Sequence, residues 1–309
     1  MTQKIVVLAT GGTIAGTASG PHENLGYTAA QLHIDDLLGS LTALNALPLV
    51  AEQVAQIDSK DMSFAVWRDL ALRCSHWLGQ PEVAGLVVTH GTDTLEETAF
   101  FLQQVLSPAK PVVLTCAMRP ATALAPDGPQ NLVDAIAVAS AQARGVVAVC
   151  AGTIHDSRDV SKQHTYRLDP FTSGDAGPIG YVEDGRLRLL RDWPCPEPDG
   201  TGLLQRVGAC EVWPRVEIVM NHAGAGAAIV DALVAQGVRG LVVAGSGNGS
   251  IHHELEAALV QAHASGVKVV RASRCAAGVV LARPGDSLPH SNGLSAVKAR
   301  IALILSLLA

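Results

Sequence analysis

The sequence predicts an α/β protein of two domains built on parallel sheets, and three observations carry that expectation. Short apolar runs at 4–9, 83–89, 111–116, 145–150, 217–220, 240–244 and 267–272 alternate with stretches of helical period at 94–106, 131–143, 226–235, 251–264 and 295–308. Such near-continuous apolar strands suit parallel sheets, whose two faces are both covered by crossover helices. The alternation fails across 184–214, where Trp193-Pro194-Cys195-Pro196-Glu197-Pro198-Asp199-Gly200 sets three prolines within five residues. It then restarts on fewer elements. A chain of 309 residues also exceeds what one hydrophobic core usually holds. The expected organisation is an N-terminal α/β catalytic domain over 1–190, a linker over 191–212 and a smaller α/β domain over 213–309.

Composition narrows the function classes. With 48% hydrophobic residues, 16% charged residues and net charge −6, the chain reads as compact, with nucleic acid and anionic membrane disfavoured as partners. A surface so poor in charge points to self-association. No apolar run approaches the ~20 residues of a membrane-spanning helix, and the stretch at 5–9 is too short for a secretion signal, so a soluble, cytoplasmic protein is expected. The six cysteines lack CxxC spacing, and the eleven histidines, His252-His253 included, lack HExxH spacing. Neither a metal nor a cofactor is expected.

In open α/β sheets ligands bind beyond the carboxyl ends of the strands. The first strand runs into Thr10-Gly11-Gly12-Thr13-Ile14-Ala15-Gly16, whose glycines allow a sharp turn that presents the Thr13 hydroxyl. Taken alone, the segment suits an ordinary glycine turn or a nucleotide loop equally well, although GxGxxG and GxxxxGK[ST] are absent. The next strand ends in Thr89-His90-Gly91-Thr92-Asp93-Thr94, followed by Leu95-Glu96-Glu97. Here Asp93 either caps the coming helix or holds a ligand's ammonium group, and His90 reads as structural. Within Asp156-Ser157-Arg158-Asp159-Val160-Ser161-Lys162, Lys162 is either a solvated loop lysine or an amine reaching into the crevice.

Together, TGGTIAG, THGTDTLEETA, CAMRP at 116–120, DGPQNL, RDVSK at 158–162 and Gly245-Ser246-Gly247-Asn248-Gly249 resemble the bacterial-type L-asparaginases through most of the chain. That resemblance implies a flavodoxin-like larger domain and a homotetramer, a dimer of intimate dimers with active sites between subunits. It implies hydrolysis of L-asparagine to aspartate and ammonia through a threonine nucleophile and an acyl-enzyme, with a glutaminase-asparaginase as the nearest alternative. By the same resemblance Thr13 attacks with the help of Tyr27 in Asn24-Leu25-Gly26-Tyr27-Thr28. Thr92, Asp93 and Lys162 form a second hydroxyl, acid and amine group, and the Thr92 N–H is the expected oxyanion donor.

Substrate recognition is expected from Ser59 for the α-carboxylate, from Asp93 for the α-ammonium group with Thr92 also contacting the substrate, and from Asn248, which would reach the neighbouring subunit's site. Lys60 brings a cation to the substrate's edge, where relatives carry a neutral glutamine. Arg119 is expected to support the site from beneath. The stretch 275–291 shows no match to the acidic residue that some relatives contribute across the interface. A dinucleotide-dependent oxidoreductase would explain the early glycines but not their spacing. An amino-acid-binding module would not require Thr13, Thr92 and Lys162 together.

Overall fold

The computed structural model describes residues 3–39, 48–195 and 200–308. The chain divides into two compact units, Met1–Gly208 and Ala209–Ala309.

The first unit runs β1 (Lys4–Gly11), β2 (Thr17–Ala18), β3 (Tyr27–Thr28), α1 (Ile34–Gly39), β4 (Leu49–Ile57), α2 (Phe64–Leu78), β5 (Val83–Thr89), α3 (Leu95–Leu106), β6 (Val112–Thr115), α4 (Gly128–Ser140) and β7 (Val146–Cys150). It continues with β8 (Thr153–Asp156), β9 (Ser161–Lys162), β10 (Phe171–Thr172), β11 (Gly180–Glu183) and β12 (Arg186–Leu189), and α5 (Gly200–Ala209) closes it. Eight strands form one sheet in the order β12-β11-β8-β7-β6-β5-β1-β4. Its parallel part, β4-β1-β5-β6-β7, places the second strand outside the first and the rest on the other side, which is the flavodoxin-like order. That order reverses between β1 and β5, so a crevice opens where Thr10–Thr13 and Thr89–Thr92 leave the sheet.

Central strands are apolar on both faces because helices cover both. Val6, Val7, Leu8, Val87, Val88, Val113 and Leu114 are wholly buried, and α4 packs Leu132, Ala135, Ile136 and Ala139 onto one face. Helix α2 begins where the Ser63 hydroxyl accepts the Val66 N–H, and buries Trp67, Leu70, Ala71 and Cys74, spaced i, i+3, i+4, i+7. The Trp67 ring stacks on Phe101 of α3 at 4.8 Å. Edge strand β4 is fastened through Glu52, which accepts bonds from Arg73 Nε at 2.5 Å, Arg73 Nη2 at 2.8 Å and Trp77 Nε1 at 2.7 Å. The Arg73 hydrogen bond holds the Glu52 carboxyl below its ordinary range despite partial burial.

The sheet is not wholly parallel, a departure from the sequence expectation. β8 runs antiparallel to β7, β11 to β8 and β12 to β11. These strands are short; Ala151-Gly152 turns β7 into β8 and Asp184-Gly185 turns β11 into β12, all four residues at positive φ, so no crossover helix announces those pairings. Of the segment 191–212, residues 196–199 lie outside the described residues, and Gly200–Ala209 is helical.

The second unit is a three-stranded parallel sheet, β13-β14-β15, formed by β13 (Val216–Met220), β14 (Gly240–Gly245) and β15 (Lys268–Ser273). Helices α6 (Ala228–Ala235), α7 (His253–Ala264) and α8 (Ala296–Ser306) complete it, with Leu241, Val243, Leu255, Leu259 and Val269 at its core. No helix among the described residues is long and apolar enough to cross a membrane.

Candidate active site

Two turns meet at the switch point. After β1 the chain passes Gly12 at φ 83°, and the backbone of Gly91 lies so close that a Cβ on Gly12 would strike it. Gly91 in turn is pressed on Ser59: a Cβ there would fall on Ser59 Oγ, 2.8 Å from Ser59 Cβ and 3.2 Å from Gly12 Cα. The absence of two side chains therefore brings Thr13 and Thr92, the next residues of each turn, to one place. Gly91→Ala is expected to displace Ser59 and Thr92 together and to lower kcat/KM by ~10²-fold, since misplacement by about 1 Å costs that much. Unchanged steady-state kinetics in that variant would show that the close packing does not position the site.

The Thr13 hydroxyl, almost fully buried, shares a 2.6 Å hydrogen bond with the Tyr27 hydroxyl. Tyr27 is held by the β2–β3 ribbon, in which Ala18 pairs with Tyr27 and Thr17 with Thr28. On the other turn, Lys162 Nζ donates to Thr92 Oγ1 at 2.7 Å and to Asp93 Oδ1 at 2.6 Å. Lys162 stands on the β9–β10 ribbon opposite Phe171, and its own N–H donates to Glu96 Oε1 at 3.2 Å. Its side chain is only 19% exposed, whereas that of Asp93 is 53% exposed, so the carboxylate remains open to a solute while its amine partner is covered.

Ser59 links the turns. Its hydroxyl accepts the Asp93 N–H at 3.2 Å, and its carbonyl accepts the Thr94 hydroxyl at 2.7 Å. Thr94 stands at the N-cap position of α3 without a capping bond of its own, because its hydroxyl is spent on Ser59. Thr10 Oγ1 donates to the Thr89 carbonyl at 2.9 Å and joins the ends of β1 and β5.

His90 lies beneath these groups with no solvent exposure. Trp67 Nε1–H donates to Thr98 Oγ1 at 2.8 Å, Thr98 Oγ1 lies 2.9 Å from His90 Nε2, and His90 Nδ1 lies 2.7 Å from the Gly91 carbonyl. The indole only donates and the carbonyl only accepts, so the chain is fully satisfied by a neutral imidazole carrying its proton on Nδ1. Burial pushes the His90 pKa down to about 4, with the Gly91 carbonyl pulling the other way. Between pH 6.5 and about 4 the unfolded chain carries a proton on this ring that the folded protein does not. Stability is therefore lost as pH falls through that window, by on the order of 3 kcal/mol. Denaturant titrations at pH 7 and pH 4.5 should show a smaller acid loss in His90→Gln than in the parent; equal losses would place the titration elsewhere.

Lys60 turns away from this cluster. Its ammonium donates to Asp58 Oδ2 at 2.7 Å and is 64% exposed, and the hydrogen bond to Asp58, followed by the charges of Asp58, Asp61 and Asp93, raises its pKa. Arg119 donates from Nη1 to the Ala125 carbonyl, while the Asp127 carboxylate receives the Met118 and Arg119 N–H groups at 2.9 Å each and braces the turn after β6. Asn248 belongs to the second unit, where its Nδ2 donates to the Leu281 carbonyl at 3.1 Å and its Oδ1 accepts the Leu281 N–H at 2.7 Å. Its amide thus fastens the loop after β15. Sequence reasoning missed Asp58, Glu96 and Thr98 as supporting groups. A carboxylate in the first turn of a helix was the available signal for Glu96, whereas Thr98 gave none, since helical spacing does not reveal a buried hydrogen-bond chain.

A parallel sheet of flavodoxin-like order, two crossing turns each bearing a threonine, and a covered lysine paired to an open carboxylate define an α/β protein with a hydroxyl-rich small-molecule site. The description "Asparaginase, N-terminal" matches residues 4–194 and "Glutaminase/Asparaginase C-terminal domain" matches 215–309, so the chain belongs to the asparaginase family. It is similar to L-asparaginase 2 of Escherichia coli (strain K12), 37% identical over 312 residues that span 98% of this chain and 88% of the relative. It is also similar to the glutaminase-asparaginase of Pseudomonas fluorescens biotype A, 34% identical over 318 residues, or 98% and 86% of the two chains. Among solved structures, the probable cytoplasmic L-asparaginase from Campylobacter jejuni superposes with TM-score 0.93 at 35% identity, covering 99% of this chain and 95% of that one.

Proposed function

We propose that this amidohydrolase acts on L-asparagine, releasing aspartate and ammonia, with Thr13 as nucleophile. The observation that carries the reading is the pairing of two hydroxyls with two separate proton partners: Thr13 with Tyr27, and Thr92 with Lys162 and Asp93. Thr13 Oγ1 attacks the side-chain carbonyl while its proton passes through the Tyr27 hydroxyl to the departing amide nitrogen. The developing oxyanion meets the Thr92 N–H. Collapse expels ammonia and leaves a β-aspartyl ester on Thr13, which a water oriented by Thr92 and Lys162 hydrolyses.

Asp93 offers the uncovered half of its carboxylate to the α-ammonium group, and Ser59 lies beside it for the α-carboxylate. Lys60, although paired to Asp58, brings a cation to the outer edge of the site, and Asn248 reaches the neighbouring subunit's site. The domain reading of 1–190 and 213–309, the homotetramer with shared sites and a cytoplasmic location belong to the same proposal. The last is supported by the likeness to the probable cytoplasmic L-asparaginase of Campylobacter jejuni.

Ammonia release from L-asparagine and from L-glutamine by the purified protein is the test. The two substrates differ by one methylene, worth ~1 to 3 kcal/mol in a fitted pocket, so asparagine is expected to be favoured by roughly 10-fold or more in kcat/KM. Equal rates would assign a glutaminase-asparaginase, the activity named for the Pseudomonas fluorescens relative. No release from either would overturn the proposal.

A further inference from the structure

A cavity lies in the first unit behind the Thr13 turn. It has a volume of 260 Å³ and apolar walls that include Ile14, Leu32, Leu37 and Leu132. Two charged groups, Asp36 and Arg119, also line it. Among the described residues neither forms an ion pair, and the one side-chain bond of Arg119 is that from Nη1 to the Ala125 carbonyl, which leaves its remaining N–H donors unengaged. Asp36 is exposed, its backbone N–H bonded to the His33 carbonyl.

We propose that this cavity binds an apolar α-amino acid of about the size of leucine. The size follows from volume: a dry cavity of ~150 Å³ takes benzene, so one of 260 Å³ holds roughly ten non-hydrogen atoms. The polarity follows from the lining. Four aliphatic side chains favour a hydrocarbon body, and a guanidinium with free N–H donors beside a carboxylate at one cavity matches a zwitterion's carboxylate and ammonium. A purely apolar molecule would leave both charges unused, and a simple anion would meet Asp36.

The occupant would touch the site through Ile14. This residue follows Thr13, is buried against Ala15 and Ala117, and lies so near α4 that a Cβ on Gly128 would stand 2.8 Å from its Cγ1. A ligand filling the adjacent space limits the freedom of the Thr13 turn, so binding and turnover are coupled. That coupling rests on Thr13 being the nucleophile, whereas the binding itself does not.

L-leucine is the probe, added to protein saturated with L-aspartate so that the catalytic crevice is already occupied. A concentration-dependent rise in Tm is expected on top of that from aspartate. Isoamylamine and 4-methylpentanoate, each leucine without one of its charged groups, should bind at least ten-fold more weakly. Asp36→Asn combined with Arg119→Gln should weaken leucine binding at least ten-fold, and Leu132→Trp, which fills the cavity, should abolish the shift while the protein keeps a cooperative melt. Absence of any leucine-dependent shift in the aspartate-saturated protein would overturn the proposal, as would undiminished binding in the double variant. A shift without any change in the rate of ammonia release would retain the site and remove the coupling.

Discussion

Thr13→Ala is expected to lower kcat for ammonia release by ~10³-fold or more, because no other group at the switch point pairs a buried hydroxyl with a phenol. Thr13 Oγ1 and Tyr27 Oη lie 2.6 Å apart, close enough for one proton to pass between them as the ester forms. The lost hydrogen bond is worth about 1 kcal/mol of stability, so the variant should remain folded. Asp93 and Ser59 are untouched by the change, so aspartate should still bind. Steady-state rates and aspartate titration on the same preparation check both halves. Retention of more than a tenth of the parent kcat would remove Thr13 from the nucleophile's role.

Lys162→Met is the second large effect. It removes the donor that reaches Thr92 Oγ1 at 2.7 Å and Asp93 Oδ1 at 2.6 Å while keeping an unbranched side chain of similar length. Loss of a positioned proton partner should cost ~10² to 10⁴-fold in kcat. Because the Asp93 side chain is 53% exposed, water can solvate it once its partner is gone, and folding should survive. The ester on Thr13 would still form but would drain slowly, so a burst of ammonia followed by a slow phase is expected. A large rise in KM with kcat intact would instead mark Lys162 as a binding group alone.

Much of the first unit was legible because its parallel strands bury both faces. Runs such as Val6, Val7, Leu8 and Val87, Val88 leave no polar alternation to misread, and the two threonine turns follow directly from where those strands stop. Strand β4 escaped the sequence reading for the opposite reason. As an edge strand it carries Glu52, Gln53 and Gln56, which bond α2, the end of β1 and the chain near Ala30, so its polar residues are satisfied by long-range partners. Helix α2 was missed although its Ser63 cap and apolar spacing were both available. The antiparallel strands β8 and β11 went unread, and β12 lay in the stretch read as irregular, because four-residue strands with exposed positions such as Arg186 and Arg188 hold no hydrophobic period.

Within the site, residue types were legible from strand ends, whereas the pairings followed only from the family resemblance. Strand ends alone marked Thr13, Thr92, Asp93 and Lys162, and only the family resemblance implied that Lys162, some seventy positions beyond Thr92, would meet it. The contact depends on the two-residue ribbon β9–β10, too short to show any periodicity. Lys60 illustrates the reverse case: a residue beside Ser59 in sequence turns outward because Asp58, two positions earlier, offers it a carboxylate.

Rapid-quench digestion and mass spectrometry of the protein during turnover of L-asparagine test the proposed nucleophile most directly. A β-aspartyl ester is expected on the peptide that carries Thr13, accumulating in Lys162→Met and absent from Thr13→Ala. An ester on the peptide that carries Thr92, with none on Thr13, would contradict the assignment and exchange the roles of the two threonines.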